Sequence, residues 1–318
     1  MRVLLTGATG FLGRPLVAAL RARGHDVVVV SRDAAHARAR LGAEVTVVEA
    51  ETAYAGGEWQ DRIAGSTAVI NLAGAGLGDR RWNAQWKQIC RDSRIETTRY
   101  LVEGIAALSP ADRPAVLVSA SGTDYYPFAE DLAETSVRLT EDDDVTEKAR
   151  PGDSFLARLC REWEAEARAA EASGVRVVLM RTGLVLGRGA ALARMTAPFR
   201  FLVGGRLGPG QQWVSWIHIA DAVAGYLFAL DRTTLHGPVN LVAPDPVRQR
   251  DLARAIGKAM HRPALLPTPA FAVKAAAGEL AEYILHGRRA VPAALQAAGF
   301  TWQFPALDAA LADLLQSK

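Results

Sequence analysis

With 318 residues, half of them apolar, the chain has enough apolar surface for a full core, which excludes a disordered or fibrous protein. The formal net charge of +3 comes from basic and acidic residues interspersed along the chain, so a sequence pI near 9.0 does not mark a nucleic-acid binder. Cys90 and Cys160 have no paired spacing and no apolar run reaches membrane-spanning length, so no metal site, disulfide framework or membrane partner is expected.

An apolar run at Arg2–Thr6, a helical period over Phe11–Arg23 and a β-branched run at His25–Val30 form a strand-helix-strand opening. The first strand begins within two residues of the N-terminus, so a signal peptide is not expected and the predicted location is the cytoplasm. Short apolar runs at Glu44–Val48, Ala68–Leu72, Ala115–Ser119 and Val175–Met180 read as further buried parallel strands. Helices are predicted between them at Trp82–Leu108 and Phe155–Ser173. This alternation predicts an α/β fold with a doubly wound parallel (Rossmann) sheet.

After Gly187 the pattern changes to a loop-rich stretch with Gly204, Gly205, Gly208, Pro209, Gly210, Trp213 and Trp216. A helix at Ile219–Leu230 and a strand at Val239–Val242 follow, and the remainder is mostly helical. The expected division is a dinucleotide-binding unit of residues 1–186 and 214–242. A smaller, mostly helical C-terminal substrate domain takes residues 187–213 and 243–318.

The first turn reads Thr6-Gly7-Ala8-Thr9-Gly10-Phe11-Leu12-Gly13, between a strand and a helix, which is the context a dinucleotide fingerprint requires. Gly7 allows the tight turn, Gly10 the approach of a pyrophosphate, and Gly13 close packing of helix on strand. Backbone amides at the helix start, with the positive end of the helix dipole, hold the anion. At the end of the second strand stand Ser31 and Arg32, where an acid would bind a ribose 2′-hydroxyl. A guanidinium pairs well with a phosphate, so NADP(H) is expected over NAD(H). Asp33, one residue on, has the alternative of capping the next helix.

These glycines, Asn71-Leu72-Ala73-Gly74 and Trp216-Ile217-His218-Ile219-Ala220-Asp221 resemble the extended short-chain dehydrogenase/reductases. Arg81-Trp82, Ser93-Arg94-Ile95, Phe155 through Trp163-Glu164, Arg181 to Gly187 and Gly299-Phe300 resemble one branch, the NAD(P)-dependent epimerase/dehydratase-like proteins, some named cell-division-inhibitor-like. The resemblance covers nearly the whole chain. It implies that Leu72, Ala73 and Gly74 line the cofactor's adenosine and phosphate side, that Arg94 lies near the cofactor, and that Gly183 and Leu184 approach its nicotinamide end.

Enzymes of that family use a Ser or Thr with a Tyr-x-x-x-Lys pair, the lysine charge lowering the tyrosine pKa. No tyrosine here has a lysine four residues on, and the equivalent places carry Phe155 and Leu159. Ser121 matches the family serine and is a candidate to orient a carbonyl. Tyr125, with Tyr126 beside it, is the candidate phenol, and Lys148 or Arg158 the candidate charge. His218 and the tryptophan pair Trp213 and Trp216 read as packing residues before they read as a base or a stacking platform. Two functions fit this pattern: an NADP(H)-dependent oxidoreductase or epimerase with an atypical proton donor, and a dinucleotide-binding sensor without turnover. A small-molecule substrate belongs to the first; its identity and the oligomeric state are not written in the sequence.

Overall fold

A computed structural model describes residues 1–50, 56–128 and 144–316. Seven parallel strands make the main sheet: β1 (Arg2–Thr6), β2 (Asp26–Ser31), β3 (Thr46–Glu49), β4 (Ala68–Asn71), β5 (Val116–Gly122), β6 (Arg176–Thr182) and a last strand at Gly237–Leu241. Numbered through the short strands β7 (Leu184–Leu186), β8 (Trp213–Val214) and β9 (Trp216–His218), that last strand is β10, and β11 (Val247–Arg248) follows it. The sheet order is β10-β6-β5-β4-β1-β2-β3, so winding reverses between β1 and β4 and leaves a crevice at their carboxyl ends. The central strands are buried on both faces, as their unbroken apolar runs require.

Helices cover both faces: α1 (Gly13–Ala22), α2 (Ala34–Leu41), the long α3 (Ala84–Ala107) and α4 (Phe155–Arg168). In α1 the buried side is Gly13, Leu16, Val17 and Leu20, spaced to lie on one face of a 3.6-residue helix. Further along come α5 (Ala190–Arg200), α6 (Ile219–Asp231) and α7 (Gln249–Ala259). Close to the C-terminus lie α8 (Ala270–Ala277), α9 (Ala281–Leu285), α10 (Ala293–Ala297) and α11 (Leu307–Gln316).

Two apolar cores lie under the two faces of the sheet, and a third gathers Leu192, Phe199, Trp216, Leu252, Ile256 and Leu311 from the C-terminal half. Leu295 and Phe300 pack with the sheet, so the chain returns to the first core before α11. Residues 144–147 tie this return to the sheet. Val145 exchanges backbone hydrogen bonds with Arg289 and Val291, and the Glu147 Oε1 accepts from the amides of Asn240 and Ala294.

Candidate functional site

The glycine loop sits at the crevice between β1 and β4. Gly7 has φ +70°, and a Cβ there would lie 2.5 Å from the Leu72 carbonyl oxygen, so the turn admits only glycine. At Gly10 a Cβ would meet, apart from its chain neighbours, the Gly7 carbonyl oxygen at 3.1 Å. No side chain caps the start of α1; Arg14 donates its amide to the Gly10 carbonyl at 3.2 Å and Pro15 has no amide hydrogen, so Leu12 and Gly13 are the first-turn amides without a partner among the described residues.

A cavity of about 310 Å³ follows this loop, lined by Gly7, Thr9, Gly10, Leu72, Ala73 and Gly74 on one side and Ser31, Arg32 and His36 on the other. Asp33 takes the capping role, its Oδ1 accepting from the His36 amide at 2.8 Å. Arg32 is exposed and makes no ion pair among the described residues, while Ser31 Oγ bonds to the Asp33 backbone. His36, in the first turn of α2, brings an imidazole to this side of the cavity that the sequence pattern did not single out.

Three residues of the fingerprint do not line this cavity. Phe11 packs over Gly187 and Gly189, Leu12 joins the first core, and Gly13 lies under the carbonyls of Gly7 and Ala8. Arg94 supports the cavity from behind: its Nη1 donates to the carbonyls of Ala75 and Cys90 at 3.1 and 2.9 Å, and its guanidinium lies against Gly74. Ser93 Oγ accepts from the Ala75 amide, and Asn71 Oδ1 accepts from the Ala73 amide and the Thr6 hydroxyl. The loop after β4 is thus fixed by α3 and by its own strand end.

Beyond Gly183 a second, larger cavity opens at the carboxyl ends of β5 and β6. Thr123, Asp124, Thr182, Gly183 and Leu184 form its floor, and α5, α7 and the stretch around Tyr283 to Arg288 form its walls. Gly183 admits the chain to this place, since a Cβ there would lie 2.4 Å from the Ser215 carbonyl oxygen. Trp213 lines the cavity, whereas Trp216 is buried in the third core with its indole N–H on the Asp245 carbonyl.

Ser121 and Tyr125 lie behind that floor and line neither cavity. The Ser121 hydroxyl donates to Glu164 Oε1 at 2.8 Å, and Glu164 is gripped bidentately by Arg181 through Nε and Nη2, both at 2.7 Å. Arg181 stacks on the Tyr125 ring, 3.4 Å from its centroid, and donates to the Tyr126 phenol, which donates in turn to Asn240. Burial opposes charge on Arg181, but the Glu164 hydrogen bonds and charge more than restore it, holding the guanidinium above its ordinary value. Burial pushes the Tyr126 phenol up, against the pull of Arg181. The charge beside the two tyrosines is therefore Arg181; Lys148 and Arg158, the candidates read from sequence, are exposed, and Arg158 bonds to the Asp153 carbonyl. The signal was present in the sequence. Arg181 ends an apolar strand and Glu164 sits on the apolar face of a helix, and a charge in such a place has to find a partner.

Phe155 packs edge-on to Trp82 and Leu159 is buried, so the usual phenol and ammonium positions are apolar. The phenol in that neighbourhood is Tyr283, whose oxygen accepts from the Leu156 amide at 3.1 Å; burial raises its pKa. Burial also lifts the Cys160 thiol to about 12, so it offers no thiolate. His218 caps α6, with Nδ1 accepting from the Ala220 amide at 3.1 Å, and stacks on Phe304. Among the described residues no cluster of three His, Cys, Asp or Glu side chains is placed for a metal, and no helix is long and apolar enough to cross a membrane.

Comparison with known proteins agrees with this geometry. Residues 3–241 match the model of the NAD dependent epimerase/dehydratase family, and residues 268–314 match a domain of unknown function, DUF1731. The epimerase family protein SDR39U1 homolog, chloroplastic, of Arabidopsis thaliana is 40% identical over 320 residues, covering 99% of this chain and 87% of that protein. The Bacillus subtilis epimerase family protein YfhF is 33% identical over 318 residues, covering 100% and 99%. The crystal structure of human epimerase family protein SDR39U1 (isoform 2) with NADPH superposes with a TM-score of 0.84 at 33% identity, covering all of both chains. The matched model spans most of the chain, so the chain belongs to the NAD dependent epimerase/dehydratase family.

Proposed function

We propose that the protein is an NADP(H)-dependent oxidoreductase or epimerase-type enzyme that works without a Tyr-x-x-x-Lys pair. The observation that carries this reading is the Gly7–Gly10 loop at the N-terminal end of α1, joined in one cavity to Ser31, Arg32 and His36. A glycine loop at the positive end of the helix dipole fits a pyrophosphate. Arg32 fits a 2′-phosphate bidentately, with His36 beside it and Asp33 withdrawn into a helix cap. The NADPH in the human SDR39U1 structure supports the same assignment. Such a cofactor, when bound, supplies or accepts the hydride. Thr9, Gly10, Leu72, Ala73 and Gly74 then line its phosphate and adenosine side, Arg94 braces that wall, and Gly183 and Leu184 face its reacting end.

Ser121 and Tyr125 act in this reading through Arg181 and Glu164, as positioning residues for the ends of β5 and β6. Calorimetric titration tests the cofactor side. NADPH is expected to bind more tightly than NADH, and Arg32→Ala to remove about 10- to 100-fold of that preference, the scale of hydrogen bonds to a charged group. Equal affinity of the unaltered protein for the two cofactors would defeat the assignment. Tight NADPH binding with no turnover across aldehydes, ketones and quinones would favour the sensor, whose sequence mark is the loss of phenol and ammonium at Phe155 and Leu159.

A further inference from the structure

Six of the eight large apolar side chains that stand exposed among the described residues gather at one place. Phe201, Leu202 and Val203 follow α5, and Leu265, Leu266 and Phe271 flank the start of α8. Backbone hydrogen bonds join the two segments: the amides of Leu266 and Thr268 donate to the carbonyls of Gly204 and Arg206, and the Gly208 amide donates to the Thr268 carbonyl. The segments run parallel there, so residues 201–203 and 265–266 emerge at the same end. The apolar groups are held outward by the fold. The Leu202 and Val203 amides donate to the carbonyls of Phe199 and Pro198, turning the chain back with Leu202 at φ +61°, a conformation leucine adopts only at a cost. Phe201, Leu265 and Phe271 are 78%, 80% and 76% exposed, so their side chains project from the surface instead of packing along it.

The charge beside these side chains is one-sided. Arg206, Arg250 and Arg254 line a hollow together with Leu265, and Arg250 and Arg254 stand one turn apart on α7. Among the described residues the acid that pairs with them is Asp251, while Arg206 bonds to the Gly208 carbonyl. Arg200 and Arg262, next to the two apolar segments in the chain, are exposed as well. A guanidinium on its aliphatic stem lies along apolar surface and still reaches a phosphate. Apolar tips projecting among such cations suit a phospholipid surface, where the tips enter the acyl boundary and the arginines stay at the headgroups. A folded protein partner would have to offer a separate pocket to each projecting side chain and acids to the arginines. The described helices include none that spans a bilayer, and adsorption needs none.

We propose that this face adsorbs to an anionic phospholipid bilayer. Pro198, Phe199, Gly205, Leu207 and Thr268 of the same two segments line the larger cavity, so adsorption sets that cavity beside lipid. The glycine loop contributes nothing to the face, and membrane binding is therefore independent of the cofactor. The test sediments the full chain with vesicles of phosphatidylglycerol and phosphatidylcholine in equal parts, and with phosphatidylcholine alone. Binding to the mixed vesicles is expected to weaken with added salt and to exceed binding to phosphatidylcholine at least about 10-fold. Phe201→Ser with Leu202→Asn, where asparagine accepts the positive φ, lowers affinity for the mixed vesicles about 10- to 100-fold. Arg206→Gln with Arg254→Gln lowers it about 10-fold and leaves phosphatidylcholine binding unchanged. NADPH binding by both variants stays at the unaltered level, which shows that the fold is kept.

Insertion is read separately. Cys90 and Cys160 are buried, so Phe271→Cys takes a nitrobenzoxadiazole label selectively, and its emission is expected to shift to the blue on the mixed vesicles. The same label at Ala39→Cys, exposed on α2, stays unshifted. If the Phe201 and Leu202 variant does not fold, the two labels decide. No binding to the mixed vesicles, equal binding to phosphatidylcholine, affinity unchanged by Phe201→Ser with Leu202→Asn, or an unshifted label at position 271 would overturn the proposal. A lipid-free dimer seen by light scattering and dissociated by that same variant would overturn it too, because the face would then belong to a second copy of the chain.

Discussion

The two cavities are built from different materials. The smaller takes its walls from residues 6–97, chiefly the turns that follow β1, β2 and β4, and presents mainly glycines and short side chains. The larger gathers residues from 77 to 288, its polar points include the long-range pair Asp124 with Arg288, and a second pair, Glu164 with Arg181, lies behind its floor. A backbone site follows from local turn geometry and tolerates changes nearby. A side-chain site depends on every partner that holds it, so the larger cavity is expected to be the more fragile of the two.

Breaking the pair behind that cavity tests the contrast most severely. Glu164→Gln leaves Arg181 charged and buried, and urea unfolding should show a loss of about 3–5 kcal/mol, the cost of an uncompensated buried charge. A loss under about 1 kcal/mol, the level of an exposed pair, would show that the buried network does not hold the β5 and β6 ends. In the smaller cavity, Gly10→Val sets a Cβ 3.1 Å from the Gly7 carbonyl oxygen, so the test counts only where circular dichroism stays native. NADPH affinity should fall at least about 100-fold because the side chain stands in the pyrophosphate's place. Native binding by that variant would give the loop another purpose.

Ser121→Ala removes one of three hydrogen bonds on Glu164 and is expected to cost about 1 kcal/mol, seen as a small shift in the urea midpoint. Tyr125→Phe keeps the ring over Arg181 and should leave both stability and turnover near the unaltered level. A large drop in rate for Tyr125→Phe alone would move that phenol from support to chemistry.

The smallest effect is one of pH. Burial lowers the His218 pKa, with Asp313 and Asp221 pulling the other way. Above the ordinary histidine value of about 6.5 both folded and unfolded forms are neutral and there is no effect. As the pH falls below that value the unfolded chain takes up the proton first, so stability declines with acidification. Melting curves from about pH 7.5 to about pH 5.5 should show this decline reduced in His218→Asn, which keeps an acceptor for the Ala220 amide. His25 is shifted in the same direction by burial and the N-terminal ammonium, so part of the decline should remain.

The sequence by itself determined the parts whose information is local. Apolar runs located β1 to β6 to within three residues at each end, because a strand buried on both faces has to be apolar throughout. Glycine spacing located the smaller cavity, because positive φ and close backbone approach select glycine where they occur. Capping chemistry left two uses for Asp33, and the fold chose the cap. What the tertiary structure alone decided is which distant charges meet. Arg181 with Glu164 and Arg288 with Asp124 are set by how β5, β6 and the C-terminal segments pack. No spacing encodes such encounters: the partners lie 17 and 164 positions apart, and only burial makes their pairing obligatory.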